Sequence, residues 1–195
     1  MIKRLEFVGN QAVSDGKLKK QIKENKPKPS FFMLGFLRGG GTWKETAFEE
    51  DAARMVDYYQ GEGYAKARIG QPEIRVLSEK KDGSEREVEV RIPVTEGPRY
   101  RMGELTFEGN KVASARILRP FFKIEEGDWY SRKKLYDGFR TTQSAYGREG
   151  YMEWNPAPAF KYSDDPDRID QAAIALVPPL LLAAEEPAKD GKQPD

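Results

Sequence analysis

The residue types that most often carry chemistry are missing from this chain. It has no cysteine and no histidine. Disulfides and thiolate metal sites are therefore excluded, together with the commonest general base and metal ligand. The lack of cysteine does not fix a compartment, since exported proteins also do without it. Asp164, Asp165 and Asp167 could suggest calcium. Their spacing, Asp-Asp-Pro-Asp, is wrong for a calcium loop and right for a turn. Trp43, Trp129 and Trp154 could stack bases, but packing in a core or cap is the simpler use. Lys17, Lys19, Lys20, Lys23, Lys26 and Lys28 read as the solvated face of a helix. No phosphate loop and no nucleophile with its base is present. The expectation is no enzyme, no cofactor, no metal and no small-molecule substrate.

The bulk numbers agree with a binding protein. A length of 195 residues suits one medium domain or two small ones. The 33 Lys plus Arg nearly cancel 32 Asp plus Glu, so there is no broad field for nucleic acid or an anionic surface. No stretch approaches the ~18 apolar residues of a membrane helix. Met1-Ile2-Lys3-Arg4 has no apolar run behind it, so no signal peptide is expected at this start.

The elements that must position any site come in two copies. Leu5-Glu6-Phe7-Val8-Gly9-Asn10 returns as Leu105-Thr106-Phe107-Glu108-Gly109-Asn110. Each is a strand entering a Gly-Asn turn. In the first copy Leu5 and Phe7 are placed inward, with Ile2, Arg4, Glu6 and Val8 on the other side. Ser14 is predicted to cap a helix carrying Leu18 and Ile22 that Pro27 and Pro29 stop. Thr42 and Glu45 read as a capping box for a helix with Phe48, Ala52, Met55 and Tyr59 on one face. Gly61 and Gly63 end it. A strand over 65–77, broken at Gly70 and Pro72, leads through Lys81-Asp82-Gly83-Ser84 to a return strand. There Val88, Val90, Ile92 and Val94 share a face.

The second copy repeats the order. A strand over 101–107 is followed by a short helix with Ile117 and Leu118, then a helix with Leu135, Phe139, Thr142 and Tyr146. A proline-broken strand, a turn at 163–167 and a return strand over 169–177 complete it. Tyr59-Gln60-Gly61-Glu62-Gly63-Tyr64 aligns with Tyr146-Gly147-Arg148-Glu149-Gly150-Tyr151. The first copy is longer by an apolar loop, residues 30–41.

This ordered set resembles the POTRA domain, and specifically the middle domains of BamA-like outer-membrane-protein assembly factors. The resemblance rests on the two "F-x-G-N" strands, the two "Y-x-x-x-G-Y" helix ends and Val94-Thr95-Glu96-Gly97. It implies an α+β fold of two tandem β-α-α-β-β modules. Each would be a three-stranded mixed sheet covered on one face by two antiparallel helices. The modules are expected at 1–97 and 98–179, with 180–195 a disordered tail. The resemblance further implies a periplasmic location at the outer membrane and a chaperone-like role. Its partners would be unfolded outer-membrane protein clients, accessory lipoproteins, and a membrane β-barrel in the same or another chain. Gly9, Asn10, Gly63, Tyr64, Gly109, Asn110, Gly150 and Tyr151 are its structural signature. The return strand of the second module departs from the pattern, because Val177-Pro178-Pro179 has no Glu-Gly.

Two surfaces are candidates for binding. An unpaired sheet edge offers main-chain groups to any extended chain. Glu73, Ile74, Arg75, Val76 and Leu77 lie beyond Pro72 and keep every N–H. In the second module Pro156 and Pro158 remove donors two residues apart. The expectation is that the first edge accepts a strand and the second does not, against the plainer reading that both are merely solvated. The loop residues Phe31, Phe32, Met33, Leu34, Phe36 and Leu37 either form a partner site or fold back over their own core. Glu96, Gly97 and Pro98 are expected at an inter-domain hinge, with Glu96 making a contact between modules. The competing classes are a KH-like RNA-binding pair, disfavoured by glycine spacing and charge, and a free-standing interaction adaptor.

Overall fold

The computed structural model describes residues 1–27, 41–81, 86–110, 112–152, 157–160 and 171–175. The chain divides into two compact units. One comprises Met1–Tyr100 with Trp129–Lys133, the other Arg101–Asp128 with Lys134–Asp195.

The first unit runs β1 (Ile2–Val8), α1 (Asp15–Gln21), α2 (Glu45–Gly61), β2 (Arg68–Ile69), β3 (Glu73–Glu79) and β4 (Arg86–Thr95). The central strand is β4, parallel to β1 and antiparallel to β2 and β3. β2 and β3 are one edge strand in two pieces, and the sequence explains the break. Pro93, opposite it in β4, has no N–H to give, so Gly70 N–H donates to Pro93 O at 2.8 Å without a return bond. A Cβ at Gly70 would stand 3.1 Å from Pro93 Cβ. Past this point the pairing slips by one, from Ile69↔Val94 to Glu73↔Arg91.

Val90, Ile92 and Val94 of β4 meet Leu5 and Phe7 of β1, Leu18 and Ile22 around α1, and Phe48, Met55 and Tyr59 of α2 in one core. Ile2 belongs to it as well, contrary to the simple alternation. A bulge between Ile2 and Arg4 returns Ile2 to the side of Leu5 and Phe7.

Three helix-end expectations are corrected. Ser14 sits at the N-cap of α1, yet its side chain makes no capping bond, and its carbonyl accepts from Lys17 and Leu18. The box of Thr42 and Glu45 does not form, because α2 starts at Glu45 with Lys44 as cap residue. Asn25 holds that entry instead, accepting from Lys44 N–H at 2.7 Å and donating to Lys44 O at 3.1 Å. α1 ends at Gln21, well before Pro27, because Asp51 of α2 captures the chain. Its carboxylate accepts from Lys23 N–H at 2.8 Å and Asn25 N–H at 3.1 Å, and pairs with Arg54.

The second unit runs β5 (Glu104–Glu108), α3 (Ala115–Leu118), a 3-10 turn (Arg119–Phe121), α4 (Arg132–Arg148), β6 (Ala157–Pro158) and β7 (Gln171–Ala175). β7 is central, parallel to β5 and antiparallel to β6. Phe107 faces Ile174 as Phe7 faces Ile92, so the repeat holds at the level of strand register. Leu118, Phe122, Ile124, Leu135, Phe139, Thr142 and Tyr146 are buried. Ile117 is not a core residue: it is 58% exposed, and Phe122 fills the helix contact in its place. The Phe122 ring lies where a Cβ on Gly138 would be, at 2.3 Å. The turn at 163–167 and Trp154 lie outside the described residues.

Candidate functional site

The signature residues are frame, not chemistry. Gly9 has φ +99°, and any Cβ there would strike Val94 O at 2.3 Å. Asn10 Nδ2 donates to Val13 O at 3.0 Å, as Asn110 Nδ2 does to Ala113 O at 2.9 Å. Tyr64 N–H donates to Tyr59 O, and Tyr151 N–H to Tyr146 O, both at 3.0 Å. The paired rings stand edge-on, 5.8 Å apart in the first unit and 5.9 Å in the second.

Glu96 ties three of these motifs together. Its carboxylate accepts from the N–H groups of Gln11, Ala12 and Val13 at 2.9 to 3.1 Å, and from Tyr59 Oη at 2.8 Å. The expected contact between modules is thus corrected: these partners all belong to the first unit. A carboxylate fits because adjacent loop amides converge on one point. Burial alone would raise the pKa of Glu96. The amide of Ala12, the Tyr59 hydroxyl and the amides of Val13 and Gln11 outweigh this, and the carboxyl lies below its usual range. Burial, then Glu96, pushes the Tyr59 hydroxyl up. The next residue, Gly97, has φ +68°.

β3 is the accessible main-chain surface of the first unit. All seven of its residues are exposed. Its geometry follows from two bonds of the neighbouring strand. Gly70 N–H to Pro93 O turns the odd-numbered groups of β4 toward β3, and Val88 N–H to Met1 O turns the even-numbered ones toward β1. Glu73↔Arg91 and Arg75↔Glu89 are therefore the hydrogen-bonded pairs. The N–H and C=O of Ile74 and Val76 point away from the sheet. Their side chains lie opposite Val90 and Val88, on the core face. Ile74 is nonetheless 48% exposed and Val76 52%. The apolar face of the sheet thus continues outward as a ledge along an open edge. Leu77, 43% exposed, is the extra residue of a bulge between Val76 and Ser78 that ends the regular part.

The corresponding edge of the second unit is β6, with two residues, one of them Pro158. Pro156 lies outside the described residues, and so do Phe31, Phe32, Met33, Leu34, Phe36 and Leu37. Among the described residues no group of acidic side chains could hold a metal, and no helix is long and apolar enough to cross a membrane. The sequence reading located the edge but missed the ledge, since exposure of Ile74 and Val76 depends on where the helices stop.

A family model for POTRA, described as surface antigen variable number repeat, matches residues 1–97 and 100–170. The chain belongs to the POTRA family. Its two modules are of the BamA-like kind. A putative outer membrane protein assembly factor of Treponema pallidum is 30% identical over 151 residues. These are 77% of this chain and 17% of that protein. The outer membrane protein assembly factor BamA of Neisseria meningitidis is 30% identical over 158 residues, 75% of this chain and 17% of its own length. The crystal structure of Haemophilus influenzae BamA POTRA3-5 superposes with a TM-score of 0.65 at 26% identity, over 89% of this chain and 63% of that one. Haemophilus ducreyi BamA lacking POTRA domains 1–3 shares the fold, with a TM-score of 0.59 at 20% identity, over 89% of this chain and 28% of that one.

Proposed function

We propose that the chain is a non-catalytic, periplasmic polypeptide-binding part of an outer-membrane-protein assembly machinery, and that β3 receives client strands by augmentation. The two modules, residues 1–97 and 98–179, would belong to the middle of a longer POTRA string. The observation that carries this reading is the β3 edge: Ile74 and Val76 offer main-chain donors and acceptors outward, beside their own apolar side chains. An added strand gains hydrogen bonds whatever its sequence, and gains burial if alternate residues are apolar. Strands of membrane barrels have that alternation. β6, shorter and carrying proline, does not offer the same edge. The apolar loop residues 31–37 would dock a partner protein such as an accessory lipoprotein, and Gly97 and Pro98, beyond the fixed Glu96, would serve as the hinge.

Hydrogen exchange with a synthetic ten-residue peptide of alternating apolar and polar residues tests the strand site. Added protection is expected at the amides of Ile74 and Val76 and absent at 157–160. Ile74→Pro and Val76→Pro remove only outward donors, so they should weaken binding about tenfold or more while the β3–β4 ladder stays protected. Protection at 157–160 alone, or unchanged binding by both proline variants, would sink the proposal.

A further inference from the structure

The second unit has a feature that the edge-strand reading does not use. A groove of about 770 Å³ runs between one face of α4 and the segment that carries Phe121 and Lys123. Its α4 wall includes Lys134, Asp137, Arg140 and Arg148, on the face beside the core residues Leu135, Phe139, Thr142 and Tyr146. Four cations stand against one carboxylate, and Asp137 already pairs with Arg140. Lys134 also reaches Asp128 at 3.7 Å on the rim. Lys123, Lys134, Arg140 and Arg148 are all exposed. The repeat makes this charge pattern particular to the second unit. Aligned through Tyr59 and Tyr146, the positions of Lys134, Arg140 and Arg148 are Ala47, Ala53 and Gly61 in α2.

We propose that this groove docks an acidic amphipathic helix of a partner protein. Lys134 and Arg148 are fourteen residues apart on one helix, about 21 Å at 1.5 Å per residue, which matches a partner helix of roughly four turns. Phe121 and Ala145 supply apolar lining within the basic rim. A helix with carboxylates at i, i+3 or i+4 and i+7 beside an apolar stripe meets both. A flat anionic membrane fits a concave groove poorly, because its headgroups cannot reach the floor. The inference does not rest on strand binding at β3, and the two fail separately.

The test is fluorescence anisotropy of the full chain with a labelled sixteen-residue Glu/Leu amphipathic peptide. Its Lys/Leu counterpart and phosphatidylglycerol vesicles serve as the other arms. The Glu/Leu peptide should bind, the Lys/Leu peptide should not, and affinity should fall as salt rises. Lys123→Glu with Arg148→Glu should weaken binding at least about tenfold, since two of the four cations then repel. Lys123→Arg with Arg148→Lys should leave it within about twofold. Native amide protection at Leu135 and Phe139 should be unchanged in both, which reports that the second unit is folded. The proposal is overturned if the charge-reversed chain binds the peptide equally, if the peptide fails to bind, or if vesicles bind through these cations while the peptide does not. It is also overturned if Glu185→Gln with Glu186→Gln raises peptide affinity, which would assign the groove to the chain's own tail.

Discussion

Two carboxylates in the first unit each hold several main-chain N–H groups, and each is tuned by them. Asp51 is fully buried. Burial pushes its pKa up, but the amide of Lys23, the Arg54 guanidinium and the amides of Asn25 and Glu24 win, and the carboxyl lies below its usual range. Asp51→Ala leaves the buried Asn25 amide and the part-buried amides of Lys23 and Glu24 unmatched. A loss of about 2–4 kcal/mol of unfolding free energy is expected by urea titration. Glu96→Gln keeps the shape but removes the charge that several donors share. It should cost about 1–3 kcal/mol, with faster amide exchange at Gln11, Ala12 and Val13. Both residues were visible in the sequence, but neither role was. Asp51 belongs to no motif there, and Glu96 reads as a hinge residue in contact with the next module. Apart from Arg54, their partners lie at least 26 residues away along the chain, and no local pattern reports them.

The helices close against each other by different means in the two units, which matters at the level of the element. Position 51 of α2 corresponds to 138 of α4. In the first unit an aspartate there ties down the chain after α1; in the second a glycine admits the Phe122 ring. Gly138→Ala would drive a methyl group into that ring and should destabilise the second unit by about 1–3 kcal/mol. Gly16→Ala, inside α1, meets nothing within 4 Å and should stabilise by about 0.5–1 kcal/mol through helix propensity. Opposite signs for the same substitution, measured by thermal unfolding, would distinguish packing from propensity. The edge strands differ in the same spirit. β3 begins past Pro72 and runs for seven residues, whereas β6 includes Pro158. That contrast is legible in the sequence, since proline always lacks its donor. The β2–β3 break at Gly70 and Pro72 is legible too, but the part played by Pro93 on the neighbouring strand is not.

At the scale of the molecule, acid should act on the first unit before the second. Asp51 and Glu96 have folded-state pKa values depressed below their unfolded ones. Their stabilisation is therefore complete above the unfolded values, near 4, and is lost as pH falls through the lower folded values. The second unit has Gly138 where Asp51 stands and, counting on from Ile92 and Ile174, Pro178 where Glu96 stands. NMR-detected melts at pH 7 and pH 3 should show the Leu18 amide losing more melting temperature than that of Leu118. Equal losses would mean that other carboxylates dominate.

The sequence by itself determined the repeat, the fold class, the positions of the strands and most of the core, because these follow from short-range periodicity and from glycine and proline. It also excluded thiol, histidine and phosphate-loop chemistry by residue type. Only the tertiary structure decided that Glu96 is bound within its own unit, that Ile2 is buried, and that Asp51 ends α1. It alone decided that Ile74 and Val76 lie exposed on the core side of an open edge, and that the cations of α4 line a groove. Each of these depends on which distant atoms arrive at a residue, and on where the covering helices end. Distance along the chain carries no record of either.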